Sequence, residues 1–369
     1  MSRKNTNNIT NQSFYLNFMI KTLTSLRFMF ALMVILSHCI SISTSFDQHI
    51  FQEGFVGVSF FFVLSGFIIS YSYKKRLLEK NISKHQFWIA RLARIYPLHL
   101  ATLFFAVLLH LEIWQNTWRG ICHFIPNLFL LQAFIPEQSF YYSFNSPSWS
   151  LCCEMLFYAL FPVFIQWFSS IRKLLAVLFV LMTIILTGMA YTPQDQTLVN
   201  TIWYVNPFFR LCDFFIGMLL LEFYERYRHI HLSYKKASLF EILASVIFLV
   251  FYLSANSFSI VYRASSYYWI PVSLVVFVFA LQRGCISKLL SNKYLVYLGK
   301  ISFGVYMFHF LVLDVLVRVT HKMGLELYAP TSFAILILIT LLLSSLSFHY
   351  FEKPVNLWVK KQFKKTHLI

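Results

Sequence analysis

Apolar positions along this chain gather into runs of about twenty residues, separated by short connections that carry most of the charge. Ten runs stand out, at 23–45, 55–73, 93–112, 148–168, 173–191, 207–224, 238–255, 267–282, 297–318 and 331–350. Each is close to the roughly 20 residues a helix needs to cross a hydrocarbon core of about 30 Å. Lipid offers no partner to an unpaired backbone group, so these runs predict helices. The chain thus reads as an all-α, polytopic membrane protein of about ten spans. It forms one transmembrane domain over 1–369, with short tails at 1–22 and 351–369. The first run follows Lys21, lacks an A-x-A-type cleavage site and carries Arg27 and His38, which marks a retained span rather than a signal peptide. One outer connection, 113–147, is long. Its apolar stretch from Ile121 to Ile135 is broken by Pro126 and predicts a re-entrant or surface-lying helix, because an eleventh span would reverse every later connection. There is no internal repeat. The short stretch after the last run leads us to expect no fused extracytoplasmic domain.

Composition supports the same class. Apolar residues make up 58% of the 369 positions and charged residues 12%, against roughly 45–50% and about 25% in soluble domains. The 42 Phe and 21 Tyr suit lipid-facing and interfacial surfaces. The net charge of +17 does not point to nucleic acid, because no basic stripe or soluble binding module carries it. Instead, 25 of the 31 lysines and arginines fall on one side of the alternating spans. The other side receives only Arg119, Arg263, Arg318 and Lys322. The positive-inside rule then places both termini in the cytoplasm. The six cysteines contain no CxxC pair and read as small buried hydrophobes.

The chemistry must lie in the few polar side chains within the spans, since an ionisable group at membrane depth costs about 2.5–3.5 kcal/mol on insertion scales. Arg27 and His38 share the first span, eleven residues apart. That is about 16 Å along a helix and within roughly 20° of one face. Glu154 lies in SPSWSLCCEMLFY, where Pro147 and Trp149 mark an outer helix start and Ser146 or Ser148 is a plausible cap. Taking that start as the membrane surface puts Glu154 at the depth of His38, where imidazole and carboxylate can orient each other or divide acid–base work. Tyr158 is one turn deeper on the same face, and a structural Glu–Tyr or Glu–Arg network is the alternative reading of Glu154. Arg210 and Asp213, at i and i+3, either pair structurally or line an outer cavity. Arg91 and Arg94 form a fork of cations suited to phosphate, or ordinary positive-inside charge. His309 lines the same cavity as His38 or is a hydrogen-bonded structural histidine, and Glu352 can balance Arg91 or Arg94. No GxSxG elbow, Walker A loop, HExxH or Gly-rich dinucleotide motif occurs, so no metal or nucleotide cofactor is implied by motif.

These segments together resemble the membrane-bound acyltransferase 3 family, ten-span enzymes that acylate bacterial surface glycans. The resemblance runs in order along nearly the whole chain: Arg27-x10-His38, GFVGVSFFFVLSGF, RLARIYPLH at Arg91 and Arg94, WSLCCEMLFY around Glu154, RLCDFFIGM at Arg210, LGKISFGVYMFH at His309, and the terminal FEKP. It implies an acyl-CoA donor, usually acetyl-CoA, reached from the cytoplasm of a bacterial inner membrane. It also implies an acceptor hydroxyl on a lipid-linked or surface polysaccharide, such as an O-antigen, reached from the far side. Under that resemblance Arg91, Arg94 and Arg27 hold the donor. His38 is general base or, alternatively, an acyl-carrying nucleophile, and Glu154 orients it or binds the acceptor. Tyr158, Arg210, Asp213 and His309 are candidates to line the acceptor cavity. Whether the chain completes transfer alone or hands the acyl group to a separate extracytoplasmic transferase is left open. The competing class is a glycolipid or polysaccharide transporter or flippase without acyl chemistry, against which stand the lack of repeats and of paired broken spans.

Overall fold

The structure, a computed structural model, describes residues 19–168, 170–324 and 328–365. Most of the predicted N-terminal tail and the last four residues lie outside the described residues. Among the described residues every regular element is helical. The longer helices are α1 (Lys21–His38), α2 (Val56–Leu78), α3 (Lys84–Leu109), α4 (Thr117–Leu128), α5 (Trp149–Trp167) and α6 (Ile171–Ala190). They continue as α7 (Pro207–Tyr227), α8 (Tyr234–Ser254), α9 (Trp269–Ala280), α10 (Lys293–Met323), α11 (Ala329–Ser347) and α12 (Lys353–Lys365).

Each of the ten predicted runs lies on a helix, but their reach differs. Eight helical segments are long and apolar enough to cross a membrane. A ninth span requires counting together Gln196–Tyr204 and Pro207–Tyr227, which meet at 51°. The bend has a local cause: Asn206 caps α7 by accepting from the Phe208 amide, and Pro207 offers no amide to continue the preceding helix. The eighth run yields Ser266–Ala280, apolar but shorter than a full span.

Small residues bring the central helices together. A Cβ at Gly66 of α2 would run into the Phe214 carbonyl of α7, and one at Gly217 of α7 into the Val63 carbonyl of α2. Between helices, where lipid removes most of the hydrophobic drive, such close backbone approach is the main source of packing energy. α1 and α10 run side by side in the same direction, Gly299 lying against Thr24 near one end and His309 meeting His38 toward the other. By the alternation of the helices, the connections rich in lysine and arginine share one end of the bundle, called the basic end below. Met19 at the start of α1 and Phe348 after α11 meet there around one cavity.

The long connection after α3 enters the bundle. α4 is a twelve-residue amphipathic helix, too short to span. Beyond it, residues 129–148 hold no helix longer than four residues, yet Leu130, Gln132, Tyr141 and Asn145 are almost fully buried. Non-helical backbone survives at such depth only when protein groups satisfy it. Here Tyr96 donates to the Leu128 carbonyl at 2.8 Å and His99 to that of Asn127 at 2.8 Å. Asn145 in turn donates to Met307 of α10 at 3.1 Å. Leu130 and Phe144, at φ 55° and 57°, hold left-handed conformations that cost bulky residues energy and that bracket the segment. Within 113–147 the helix α4 is thus short and amphipathic, and it is the mostly non-helical stretch after it that is buried among α3, α5 and α10.

Candidate active site

The buried segment after α4 decides where α5 begins. Tyr306 of α10 donates to the Pro147 carbonyl at 3.2 Å and shares a 2.9 Å hydrogen bond with Ser150. Tyr306 lies thirteen residues into α10, about 20 Å from its basic end. α5 therefore starts inside the bundle, and Glu154, about 10 Å further along, descends to the level of Arg27. This corrects the expected meeting of His38 with Glu154: Pro147 marks a helix start, but not the membrane surface. Nor does Ser146 or Ser148 cap α5 through its side chain; the Ser148 hydroxyl accepts from Gln132 at 3.1 Å instead.

Two cavities result. The first, about 350 Å³ at the basic end, is lined by Arg27, Arg91, Arg94, Glu154, Tyr158 and Lys300 among apolar side chains. Glu154 accepts a hydrogen bond from Tyr158. Arg91 donates to Tyr73 at 3.0 Å with its guanidinium over that ring, while its Nε finds no partner. Arg94 faces Glu352 at 3.9 Å, so Glu352 balances Arg94 as anticipated. Four cations thus share the cavity wall with one carboxylate. Arg91 and Arg94 also border an adjoining space of about 260 Å³ with Glu352, Lys353 and Asn356, opening at α12.

The second cavity, about 310 Å³, is lined by His38, Tyr142, Ser146, Trp149, Tyr204 and Tyr306. His38 meets His309 here, Nδ1 to Nε2 at 3.2 Å. Phe61 borders the first cavity and Tyr306 the second, and their rings touch edge to face with centroids 5.8 Å apart. One aromatic contact thus lies between the two spaces, and the Arg27–His38 face of α1 runs alongside it.

Arg210 and Asp213 border neither cavity. Both are fully buried and pair at 3.1 Å. Arg210 also donates to Ser59 at 2.8 Å and to the Ala264 carbonyl at 3.1 Å, and Trp269 donates to Asp213 at 2.9 Å. Of the two alternatives for this pair, the structural one is realised and the cavity-lining one is not. His309 is likewise fully buried behind His38 rather than on the cavity wall. Sequence reasoning passed over Lys300, which it counted as orientation charge, and the rings Tyr142, Tyr204 and Tyr306. No spacing signal separates those three from the other aromatic residues.

The structure is thus a bundle of apolar helices with an internal basic cavity and a histidine-bearing aromatic cavity, the class of a polytopic membrane protein with polar sites inside it. The chain belongs to the acyltransferase 3 family, whose sequence model, described as an acyltransferase domain, matches residues 20–349. It is similar to the acyltransferase MdmB of Streptomyces mycarofaciens, with 37% identity over 166 residues, 42% of this chain and 40% of that protein. It is also similar to a putative peptidoglycan O-acetyltransferase, YrhL of Bacillus subtilis strain 168, at 27% identity over 86% of this chain and 52% of that one. The peptidoglycan O-acetyltransferase OatA of Listeria monocytogenes is 25% identical over 83% of this chain and 52% of its own length. The chain spans about half the length, or less, of these relatives. No solved structure matches it.

Proposed function

We propose that this protein is an acyl-CoA-dependent O-acyltransferase of a bacterial inner membrane. It moves an acyl group, in the simplest case acetyl, from the cytoplasmic side to a hydroxyl of a cell-surface or lipid-linked glycan. The observation that carries this reading is the excess of cations in the basic cavity: Arg27, Arg91, Arg94 and Lys300 against Glu154. A surplus of positive charge at membrane depth is costly and is relieved by an anionic ligand. Guanidinium groups suit phosphates, which CoA carries. The donor's phosphates sit at Arg91 and Arg94, and its thin arm follows the face of α1 from Arg27 toward His38, about 16 Å away.

At His38 the acceptor hydroxyl gives its proton to the imidazole as its oxygen bonds to the thioester carbonyl carbon. The carbon–sulfur bond then breaks, and the leaving CoA thiolate takes the proton back from the imidazolium. The relatives named for peptidoglycan widen the acceptor class from O-antigen-like polysaccharides to surface glycans in general. Glu154 belongs in this scheme to the donor cavity, where with Tyr158 it faces the arginines. A separate extracytoplasmic transferase remains a candidate partner for the final acceptor.

The test is transfer of radiolabel from acetyl-CoA to a membrane glycolipid fraction by the purified protein in lipid vesicles. Label on the glycan supports the reading. Transport of glycolipid with no label transferred and no acetyl-CoA bound would replace it with the flippase alternative.

A further inference from the structure

Proton counting at the two buried histidines gives each ring nitrogen a role. His309 Nδ1 lies 2.6 Å from the Tyr306 carbonyl oxygen. A carbonyl only accepts, so the proton of that bond sits on His309 Nδ1. No carboxylate touches either ring among the described residues, so both imidazoles are counted as neutral. A neutral imidazole with its proton on Nδ1 presents Nε2 as an acceptor. His309 Nε2 faces His38 Nδ1 at 3.2 Å, and the proton of that contact must therefore come from His38. Nε2 of His38 is then left bare, on a ring that borders the aromatic cavity.

We infer that His309 is a positioning residue that fixes the tautomer of His38, holding its proton on Nδ1 so that Nε2 can act as the base. The inference rests on the acyltransferase reading for its catalytic consequence, while the tautomer itself is a property of the resting protein. The Val34 carbonyl, one turn back on α1, also lies against the His38 ring and adds an acceptor for its proton, and three further features hold the arrangement. Phe310 meets the His38 ring edge to face at 5.5 Å and limits its rotation. His309 is fully buried, so water does not compete for its Nε2. The carbonyl that orients it belongs to Tyr306, whose hydroxyl reaches Pro147 and Ser150, so the same residue organises the cavity wall and the dyad.

In the reaction the acceptor proton moves to His38 Nε2 and later to the thiolate, while the proton between the rings stays on His38 Nδ1. His309 acts by accepting more strongly from an imidazolium than from a neutral ring. It does the work that a carboxylate does in a serine-hydrolase triad, without bringing a buried negative charge.

The experiment is ¹⁵N NMR of histidine-labelled full-length protein in nanodiscs, with the His38 signals assigned by difference against His38→Ala. His38 in the wild type should show a protonated Nδ1 and a bare Nε2. His309→Gln, whose amide oxygen replaces the Nε2 acceptor, should keep that signature and retain kcat within about threefold. His309→Asn reaches the Tyr306 carbonyl but falls short of His38. It should lose the signature and lower kcat by about tenfold or more, with the KM for acetyl-CoA unchanged. His309→Phe should do the same. A wild-type His38 protonated on Nε2, or His309→Asn and His309→Phe variants that keep both tautomer and kcat, would overturn the inference. If the tautomer follows His309 as stated but no variant or wild type transfers acetyl, the functional reading fails and the dyad stands. If transfer depends on His38 but neither the tautomer nor kcat follows His309, the dyad fails alone.

Discussion

Arg210 and the group of Arg27, Arg91 and Arg94 are guanidiniums in the same bilayer-spanning bundle, and they behave oppositely. Arg210 is closed in: Asp213 pairs with it as a counter-charge at 3.1 Å, Ser59 and a backbone carbonyl accept from its terminal nitrogens, and the Phe62 ring lies beneath it at 5.0 Å. The other three are half-buried around an open cavity with a fourth cation, Lys300. Their carboxylates are too few: Glu154 is engaged by Tyr158, and Glu352 stands 3.9 Å from Arg94. A second closed example lies at the far end, where buried Glu53 is held by Arg263 and by the Tyr268 hydroxyl at 2.6 Å. A cation within a membrane protein is therefore not in itself a sign of function. What distinguishes the site is charge left without a protein partner.

That contrast can be broken from either side. The largest effect should come from the closed pair. Asp213→Ala strands a buried guanidinium and should cost about 3–5 kcal/mol of stability, with Arg210→Met/Asp213→Leu recovering part of the loss; thermal melting of the purified variants reads both. Next come Arg91→Ala and Arg94→Ala. Each should weaken acetyl-CoA binding by roughly tenfold to a hundredfold, as expected for charge-assisted hydrogen bonds of about 1.5–3 kcal/mol. Their melting temperatures should fall less than that of Asp213→Ala, because relief of repulsion among the cavity cations offsets the lost contacts to Tyr73 and Glu352; calorimetric binding and a melt on the same sample check the pair of claims. The smallest effect belongs to Glu352→Gln. Removing that partial counter-charge should strengthen CoA binding by about threefold or less, given the modest worth of a long, partly solvated pair. Weaker binding in Glu352→Gln would show that the carboxylate contacts the donor rather than opposing it.

Much of this arrangement was legible along the chain, for physical reasons that can be named. Hydrophobic runs of membrane length located every described helix long enough to span, because the bilayer permits little else. The spacing of Arg210 and Asp213 announced a pair, since i and i+3 share a helix face. The Arg27–His38 face was also readable, because both residues lie on one unbroken helix. What failed was depth. Ser-Pro-Ser-Trp has the same local chemistry at a membrane surface as inside the bundle beside Tyr306, so its spacing alone sets α5 too high and takes Glu154 to the wrong cavity. The meeting of His38 with His309 was equally hidden, since 271 residues separate them and only the packing of α1 on α10 joins them. Lys300 was lost for another reason: near a helix start, a cavity cation and an orientation signal look alike.

The central claim is that the donor is held in the basic cavity and its acyl group is transferred at His38. The direct test is to measure binding and transfer separately in His38→Ala, using labelled acetyl-CoA and purified protein in vesicles. The account predicts acetyl-CoA affinity within about twofold of wild type, and label transfer to glycan reduced by about 100-fold or more, the usual worth of a general base. Undiminished transfer in His38→Ala would contradict it.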